Sequence, residues 1–230
     1  MSEIHHCRQC GTCCRKGGPA LHVEDGHLLT EGIIQLQDLV TFRAGELVRD
    51  SSTNSVVPLP AEIVKIAAPA GSRRDDWTCR FLMEDNRCFI HEKSPAECKA
   101  LFCDDPKALL GMHGKERLDR KAILELLRAP QWLMDAVEAH EARCNYAALI
   151  ELASHLEEEE AARKALVEVV EYDRAFRELV AEKGKVSKEM LDFLFGRPLM
   201  YTVIMFGIDA RANADGSITL VQTTKATLKR

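Results

Sequence analysis

Apolar residues recur at helical spacing through the second half of the chain. The pattern predicts a helix over residues 118–127, and Pro130 permits a new helix that continues to Cys144. Two more apolar stripes, in residues 149–156 and 166–180, follow the same period. The glutamate run at 157–160 between them is either a solvated helix face or a break between two helices. This half of the chain is therefore predicted to be mainly helical.

The last part of the chain is predicted to form one more helix and a β-hairpin. Gly184 is typical of a helix terminus, and Ser187 can cap a helix that runs through Phe195. Residues 201–206 and 217–221 have the composition of β-strands, and Asn213-Ala214-Asp215-Gly216 supplies the turn before the second strand.

The first half of the chain is predicted to be less regular. Residues 20–23 predict a short strand, and residues 38–48 predict a helix that Gly45 weakens. Two prolines make residues 56–60 extended.

A hairpin and a short helix follow. Residues 79–82 and 87–90 flank the turn-forming sequence Glu84-Asp85-Asn86, which predicts a β-hairpin. The next four residues, Ser94 to Glu97, predict a helix start, with a serine cap, a proline at the first position and a glutamate that completes a capping box. Residues 104–106, Asp-Asp-Pro, predict the end of that helix.

These elements predict an α+β fold that is mainly α. An irregular, cysteine-rich region over residues 1–106 is expected to pack against a helical region over residues 107–230 that ends in a β-hairpin. A chain of 230 residues can bury a sizeable core without help from a metal. Its clustered cysteines therefore need another explanation.

Charge and hydropathy narrow the class of protein. The net charge is −5 and no basic block stands out, so nucleic acid is not an expected partner. The first residues do not read as a signal peptide, and the most apolar segment, residues 191–208, is interrupted by Asp192, Arg197 and Pro198. We therefore expect no membrane association and a cytoplasmic location, where thiols stay reduced.

Eight of the nine cysteines fall in two groups. The first cysteine group is Cys7, Cys10, Cys13 and Cys14, and the second cysteine group is Cys79, Cys88, Cys98 and Cys103. In a reducing compartment, such grouping favours a metal centre over a disulfide framework; in a secreted protein, disulfides would become the leading interpretation.

The first cysteine group has the spacing of a metal loop. Two residues separate each of its first three cysteines, which lets successive thiolates point at one centre, as at the start of the bacterial ferredoxin pattern. Gly11 suits the tight backbone that such a loop needs. Cys14 complicates this picture, because adjacent side chains usually diverge. Eight thiols fit two four-ligand sites or one site with four accessory cysteines.

The second cysteine group is less regular. Cys79 and Cys88 suit opposite arms of the hairpin, and Cys98 lies in the first turn of the capped helix, where the helix dipole favours a thiolate. Cys103 lies about 140° further round an ideal helix. It can share a centre with Cys98 only if the helix ends before it.

Thiolate ligands favour zinc or an iron–sulfur cluster over magnesium or calcium. The three-cysteine spacing favours iron–sulfur, with a 4Fe-4S cluster as the leading expectation. Elsewhere, His140 and Cys144 lie four residues apart on one helix face and form a second possible metal pair, although a packed thiol is the more ordinary role for Cys144.

The cysteine pattern resembles a known family. Five segments of the chain are similar, in the same order, to segments of the zinc- or iron-chelating CxxCxxCC proteins, also called the YkgJ-like cysteine cluster family. The segments are the run from Cys7 to Cys14, Cys79-x-Phe-Leu, Cys88-x-Ile-His, Ser-Pro-x-x-Cys98 and Phe-Cys103. The resemblance covers roughly residues 5–106 and implies metal chelation by all eight cysteines. The chain departs from the family pattern at His91, where Tyr is more frequent, and at Lys99, where Arg is usual.

Three functions are compatible with this resemblance. The first is an iron–sulfur protein for electron transfer or redox sensing. The second is a structural zinc protein whose helical half binds a protein partner. The third is a cluster-dependent protein methylase that uses S-adenosylmethionine, because the family has a flagellin lysine methylase as a relative. The residues do not decide whether the chain is an enzyme.

Overall fold

The computed structural model describes residues 7–49, 55–73, 76–103, 105–156 and 159–223. The strands are β1 (Leu39–Phe42), β2 (Leu47–Arg49), β3 (Val56–Pro58), β4 (Ile63–Ile66), β5 (Ile208–Ala212) and β6 (Ile218–Gln222). The α-helices are α1 (Gly26–Thr30), α2 (Ala96–Ala100), α3 (Lys107–Met112), α4 (Arg120–Leu126), α5 (Gln131–Cys144), α6 (Tyr146–Ser154), α7 (Glu160–Gly184), α8 (Leu191–Phe195) and α9 (Leu199–Thr202). Helix, including 3-10 helix, accounts for 48% of the described residues and strand for 14%, which confirms the α+β, mainly α class.

The strands pair two by two: β1 with β4, β2 with β3, and β5 with β6. The β2–β3 pair is antiparallel, with Leu47 opposite Pro58, which confirms the predicted extended segment at 56–60. The β5–β6 pair is also antiparallel, with Ala210 opposite Leu220.

The chain divides into two compact units. Unit 1 takes its described residues from 1–40 and 63–129, and unit 2 from 41–62 and 130–230. Unit 1 therefore contains both cysteine groups. The predicted regions 1–106 and 107–230 stay a prediction about organisation along the sequence.

Unit 1 has its own buried core. Leu28 of α1, Val64 of β4 and Ile123 of α4 are each fully buried. The predicted strand at 20–23 is present only as isolated bridges, Ala20 with Lys65 and His22 with Arg117, because the chain turns into a 3-10 helix at Val23. The predicted helix over 118–127 is confirmed as α4, whose N-cap Asp119 accepts a hydrogen bond from the backbone of Ala122.

The predicted helix over residues 38–48 is wrong. The segment instead forms β1 and the start of β2. Gly45 between them has a φ of +79°, and a Cβ there would lie 2.9 Å from Cβ of Tyr146. The left-handed backbone and the close approach of Tyr146 favour a glycine turn between two strands.

Unit 2 is built on helix α7. The helix contacts α5, α6, α9 and β6. Its buried residues Leu166 and Val170 belong to a core that also includes Cys144, Tyr146, Leu149, Val169, Leu199, Val203, Ile208, Ala210 and Ile218. The helical stripes predicted from apolar spacing are confirmed: α6 ends at Ser154 and α7 begins at Glu160, the last residue of the glutamate run. The first two residues of that run, 157 and 158, lie outside the described residues. Helix α7 ends at Gly184, as predicted, and the predicted helix after Ser187 is a 3-10 turn followed by α8.

None of the helices among the described residues is both long and apolar enough to cross a membrane.

The predicted strand at residues 201–206 is also wrong. That segment contains the end of α9 and a 3-10 helix over Val203–Phe206, and the first strand of the hairpin begins at Ile208. Leu199 and Val203 are fully buried, whereas Tyr201 and Ile204 are exposed. This is a helical burial pattern, and a short apolar run does not distinguish it from a strand by composition.

Candidate metal centre

The first cysteine group lies on a tight loop in unit 1. The backbone N–H of Arg15 donates to the carbonyl oxygen of Gly11 over 3.0 Å, and a 3-10 helix begins at Cys14. Gly11 has a φ of +71°, and a Cβ there would lie 2.6 Å from Nη1 of Arg15 and 3.2 Å from Cδ1 of Leu82. The left-handed backbone therefore favours glycine at this position, as the sequence predicts.

The second cysteine group begins on the predicted hairpin. Met83 donates to the carbonyl oxygen of Arg87, and Phe89 donates to that of Phe81, each over 2.8 Å. Leu82 and Cys88 form an isolated β-bridge. The turn is closed by Asn86, whose φ of +69° is in the left-handed region that asparagine tolerates. Cys79 and Cys88 therefore lie on opposite arms of a short hairpin.

Two direct contacts bring the loop and the hairpin together. The backbone N–H of Cys79 donates to the carbonyl oxygen of Cys14 over 2.7 Å. The guanidinium of Arg15 donates both to the carbonyl oxygen of Cys10, over 3.3 Å, and to the side-chain oxygen of Asn86. Each contact joins one cysteine group to the other across more than sixty residues of chain.

Helix α2 carries Cys98 and is anchored by carboxylates. The carboxylate of Asp25 accepts the backbone N–H of Ala96 over 2.8 Å, and that of Glu97 accepts the backbone N–H of Ala20 over 2.7 Å. The predicted capping box is therefore wrong: Pro95 occupies the N-cap position without a side-chain cap, and the Glu97 carboxylate accepts the backbone N–H of Ala20 instead. A tertiary carboxylate, Asp25, satisfies the N–H that a local cap would take.

Helix α2 is also shorter than the prediction. It ends at Ala100, several residues before the predicted stop, and Cys103 lies outside it. The condition under which Cys98 and Cys103 could share a centre, a helix that ends between them, is thus met in the structure.

The eight cysteines differ in burial. Cys79 is buried, four have intermediate exposure, and three are exposed; the intermediate ones are Cys13, Cys14, Cys88 and Cys98, and the exposed ones are Cys7, Cys10 and Cys103. The thiols therefore extend from the interior of unit 1 to its surface.

Burial and the charges of neighbouring cysteines from both groups raise the pKa values of several thiols. Burial raises the pKa of Cys98, and the charges of Cys79 and Cys88 raise it further. Burial likewise raises the pKa of Cys79 to about 11, with added repulsion from Cys88 and Cys13. The pKa of Cys103 is raised by desolvation and then by the charges of Cys10, Cys13 and Cys7. Thiolates gathered in this way repel one another, and a bound cation would reverse that effect.

Cys13 and Cys14 lie closer together than their adjacency suggests. Their sulfur atoms are 4.0 Å apart, so neighbouring side chains do not diverge here. The hydrogen bond between the two thiols lowers the pKa of Cys13 to about 6 and raises that of Cys14. This donor set, all sulfur and in part easily ionised, fits a thiophilic metal such as zinc or iron.

The second possible metal pair, His140 and Cys144, lies in unit 2 with Asp173. Their ligand atoms are within 4.8 Å of one another, and all three residues are buried. Nε2 of His140 is 2.7 Å from Oδ1 of Asp173, and Nε of Arg177 donates to the same oxygen over 2.8 Å. The remaining oxygen of Asp173 accepts the backbone N–H of Leu199 over 2.9 Å.

This cluster is best described as a buried ion-pair network. Burial by itself would raise the pKa of Asp173, but the hydrogen bond with His140 and the charge of Arg177 outweigh it and lower the pKa to about 2. The ionised carboxylate is already neutralised by Arg177, and a cation would have to compete with that guanidinium. Cys144 is a buried core thiol, and burial raises its pKa to about 12.

Sequence reasoning missed two features of these sites. The link from Arg15 to Asn86 and the anchoring of α2 by Asp25 depend on contacts between distant residues. The spacing of His140 and Cys144 was a visible signal for the network in unit 2, but nothing local marked Asp173 as their partner.

Comparison with known proteins gives a match in the cysteine-rich region. Residues 6–110 match the CxxCxxCC family, described as a putative zinc- or iron-chelating domain. The match includes all eight cysteines of the two groups and confirms the resemblance read from their spacing. No curated protein and no solved structure matches the chain. The family description supports a zinc- or iron-chelating cysteine cluster as the class of site in this region.

Proposed function

We propose that the cysteine-rich region holds an iron–sulfur cluster through its two cysteine groups and serves in electron transfer or redox sensing in the cytoplasm. The observation that carries this proposal is the pairing of the cysteine loop with the hairpin, through the Cys79–Cys14 hydrogen bond and the Arg15–Asn86 contact. A protein without a shared centre has no need to bring eight thiols together in one unit.

The spacing of the cysteines along the chain favours an iron–sulfur cluster over zinc. Two residues separate Cys7 from Cys10 and Cys10 from Cys13, as at the start of the bacterial ferredoxin pattern.

The exposure of the outer thiols suits a redox task. Cys7, Cys10 and Cys103 are exposed, so a centre held there would be open to a partner or an oxidant.

The test is anaerobic purification of the full chain, followed by iron, sulfide and zinc analysis and by electron paramagnetic resonance. We expect iron and sulfide in equal amounts and a signal that changes on reduction. A folded protein that binds neither iron nor zinc under these conditions would overturn the assignment of a metal centre.

A structural zinc site is the second candidate. It is favoured by the 4.0 Å distance between the sulfurs of Cys13 and Cys14, which is close to the edge of a zinc tetrathiolate. Stoichiometric zinc in the anaerobic protein, with no iron or sulfide, would select this function over the first.

A further inference from the structure

A cavity of about 310 Å³ opens in unit 2 beside the C-terminal β-hairpin, and we call it the β5–β6 cavity. Its lining comes from the end of α6, the first turn of α7, the end of the 3-10 helix over Val203–Phe206, and the strands β5 and β6. Small-molecule sites usually have volumes of ~300–1,000 Å³, so this cavity has the size of a site for a small ligand.

Much of the lining is apolar. Leu156, Phe206 and Leu220 line the cavity, and all three are partly buried and pack against the unit 2 core. Ile208, the first residue of β5, also lines the cavity and belongs to that core. Because three of these large side chains are only partly buried, an apolar group that entered the cavity would remove further apolar surface from water.

The described lining contains one charged side chain, that of Arg163 on α7. Arg163 is exposed, so its guanidinium lies where the cavity meets solvent. Its Nε donates to the carbonyl oxygen of Leu156 over 2.6 Å, which fixes the guanidinium beside the apolar lining. Nη1 and Nη2 make no hydrogen bond or ion pair with any other residue that the structure describes. These two nitrogens are therefore available to an anion.

The carboxylates closest in sequence to this lining do not neutralise Arg163. Oε1 of Glu151 lies 3.3 Å from Nε2 of His155, and Oε1 of Glu159 lies 3.9 Å from Nδ1 of the same ring. Glu160, at the start of α7, lies outside the lining, as do Glu151 and Glu159. The described lining therefore combines apolar surface with one positive charge.

This combination selects a class of ligand. The apolar side chains favour an alkyl or similar body, and the paired Nη1 and Nη2 groups of Arg163 match the two oxygens of a carboxylate. A single guanidinium balances a single negative charge. A dianionic phosphate would keep a charge without a partner beside apolar side chains, and an amine would be repelled by Arg163.

We propose that the β5–β6 cavity binds a small amphipathic monocarboxylate, such as a short-chain fatty acid. Its carboxylate pairs with Arg163, and its apolar part lies against Leu156, Phe206 and Leu220. The site uses residues of unit 2 alone, so it does not depend on the proposed metal centre.

The test is isothermal titration calorimetry of the full chain with probes that share one alkyl chain and differ in the head group. The probes are octanoate, 1-octanol, octylammonium and octyl phosphate, each used below its micelle concentration. We expect octanoate to bind saturably to one site, and about tenfold more tightly than each of the other probes, because it alone offers a matching single charge.

Two variants locate the site. Arg163→Gln should lower the affinity for octanoate about tenfold and leave that for 1-octanol unchanged. Lys164→Gln is its matched control, because it removes the same charge from the next residue of α7, which is exposed and outside the lining. Ala153→Phe should fill the cavity and abolish binding of both probes. Ala147→Phe, at an exposed position of α6 outside the lining, should bind both normally.

Equal affinities for octanoate and 1-octanol, or no saturable binding of octanoate, would overturn the proposal. Equal losses in Arg163→Gln and Lys164→Gln would also overturn it, because the net charge of the protein would then account for the attraction. Tighter binding of octyl phosphate than of octanoate would contradict the assignment of a monocarboxylate. Circular dichroism verifies folding, and if Ala153→Phe does not fold, the Arg163 and Lys164 variants still decide.

Discussion

The backbone N–H of Cys79 donates a 2.7 Å hydrogen bond to the carbonyl oxygen of Cys14. The contact joins the last residue of the CxxCxxCC motif to the first arm of the hairpin that carries Cys79 and Cys88. Because it involves backbone atoms only, it leaves both sulfur atoms available as ligands. The two cysteine groups are thus joined directly by a main-chain contact within unit 1.

Gly11→Ala should weaken metal binding by the loop. A left-handed backbone costs an alanine ~1–2 kcal/mol, and the added Cβ would also meet Arg15 at 2.6 Å. We expect a roughly tenfold lower affinity for Co²⁺ in a chelator competition assay. Gly32→Ala is the matched control, because Gly32 has a φ of +70° but no described atom within 4 Å of its added Cβ. Equal losses of affinity in the two variants would contradict the role assigned to the Gly11 contact.

Arg15→Ala should speed metal loss by releasing the loop from the hairpin. Its guanidinium is the side chain that reaches both Cys10 and Asn86. We expect metal affinity to fall about tenfold, a typical effect of groups that orient metal ligands. Stopped-flow chelation measures the change.

The partner variant Asn86→Gly removes the amide and keeps the left-handed turn at φ +69°. If the contact is the cause, the double variant should lose no more than the stronger single variant does. Arg87→Ala, which removes an exposed pair with Asp85 inside the same turn, should leave metal release unchanged.

Asp173→Asn should strongly destabilise unit 2. The carboxylate is 1% exposed at its side chain and lies 2.8 Å from Nε of Arg177, so its neutralisation leaves a buried guanidinium without its counter-charge. We expect the free energy of unfolding to fall by ~3–5 kcal/mol in urea denaturation. Asp209→Asn, at a more exposed pair with Arg211, should cost less than ~1 kcal/mol. Similar losses in both variants would argue against the network described above.

The same network predicts acid sensitivity. The pKa of Asp173 in the folded protein is about 2, below the ~3.9 of an unfolded aspartate. The contribution of the Asp173 carboxylate to the free energy of unfolding is therefore complete above about pH 4 and is lost as the pH falls towards 2. Burial also lowers the pKa of His140, so that group begins to reduce stability below about pH 6.5. Urea denaturation as a function of pH should show both decreases, and Asp173→Asn should remove the one below pH 4.

Leu166→Ala should test the core of unit 2. Leu166 is fully buried on α7, and its truncation should cost ~2–5 kcal/mol in thermal or urea unfolding. Leu179, on the same helix, is 51% exposed, and its replacement by alanine should cost less than ~1 kcal/mol. A smaller loss for Leu166 than for Leu179 would contradict the burial pattern of this helix.

Helices with a repeating apolar stripe could be predicted, and short apolar runs could not. The apolar stripes in 149–156 and 166–180 correctly predicted α6 and α7, because a helical period that is repeated over many residues rarely arises by chance. The runs at 38–48 and 201–206 were assigned to the wrong element. In residues 38–48, the turn at Gly45, which packs against Tyr146, favours two strands over one helix. In residues 201–206, a helix continues the burial of Leu199 and Val203 on one face.

By itself the sequence determined the chemistry of this protein: eight thiols in two groups, a glycine where the loop needs one, and a helical second half. Spacing and residue type are enough for these features because they depend on near neighbours. The tertiary structure decided which cysteines meet, which are buried, and that Asp173 joins His140. Those relations join residues far apart in the chain, and their energy comes from packing and desolvation, which no local pattern encodes.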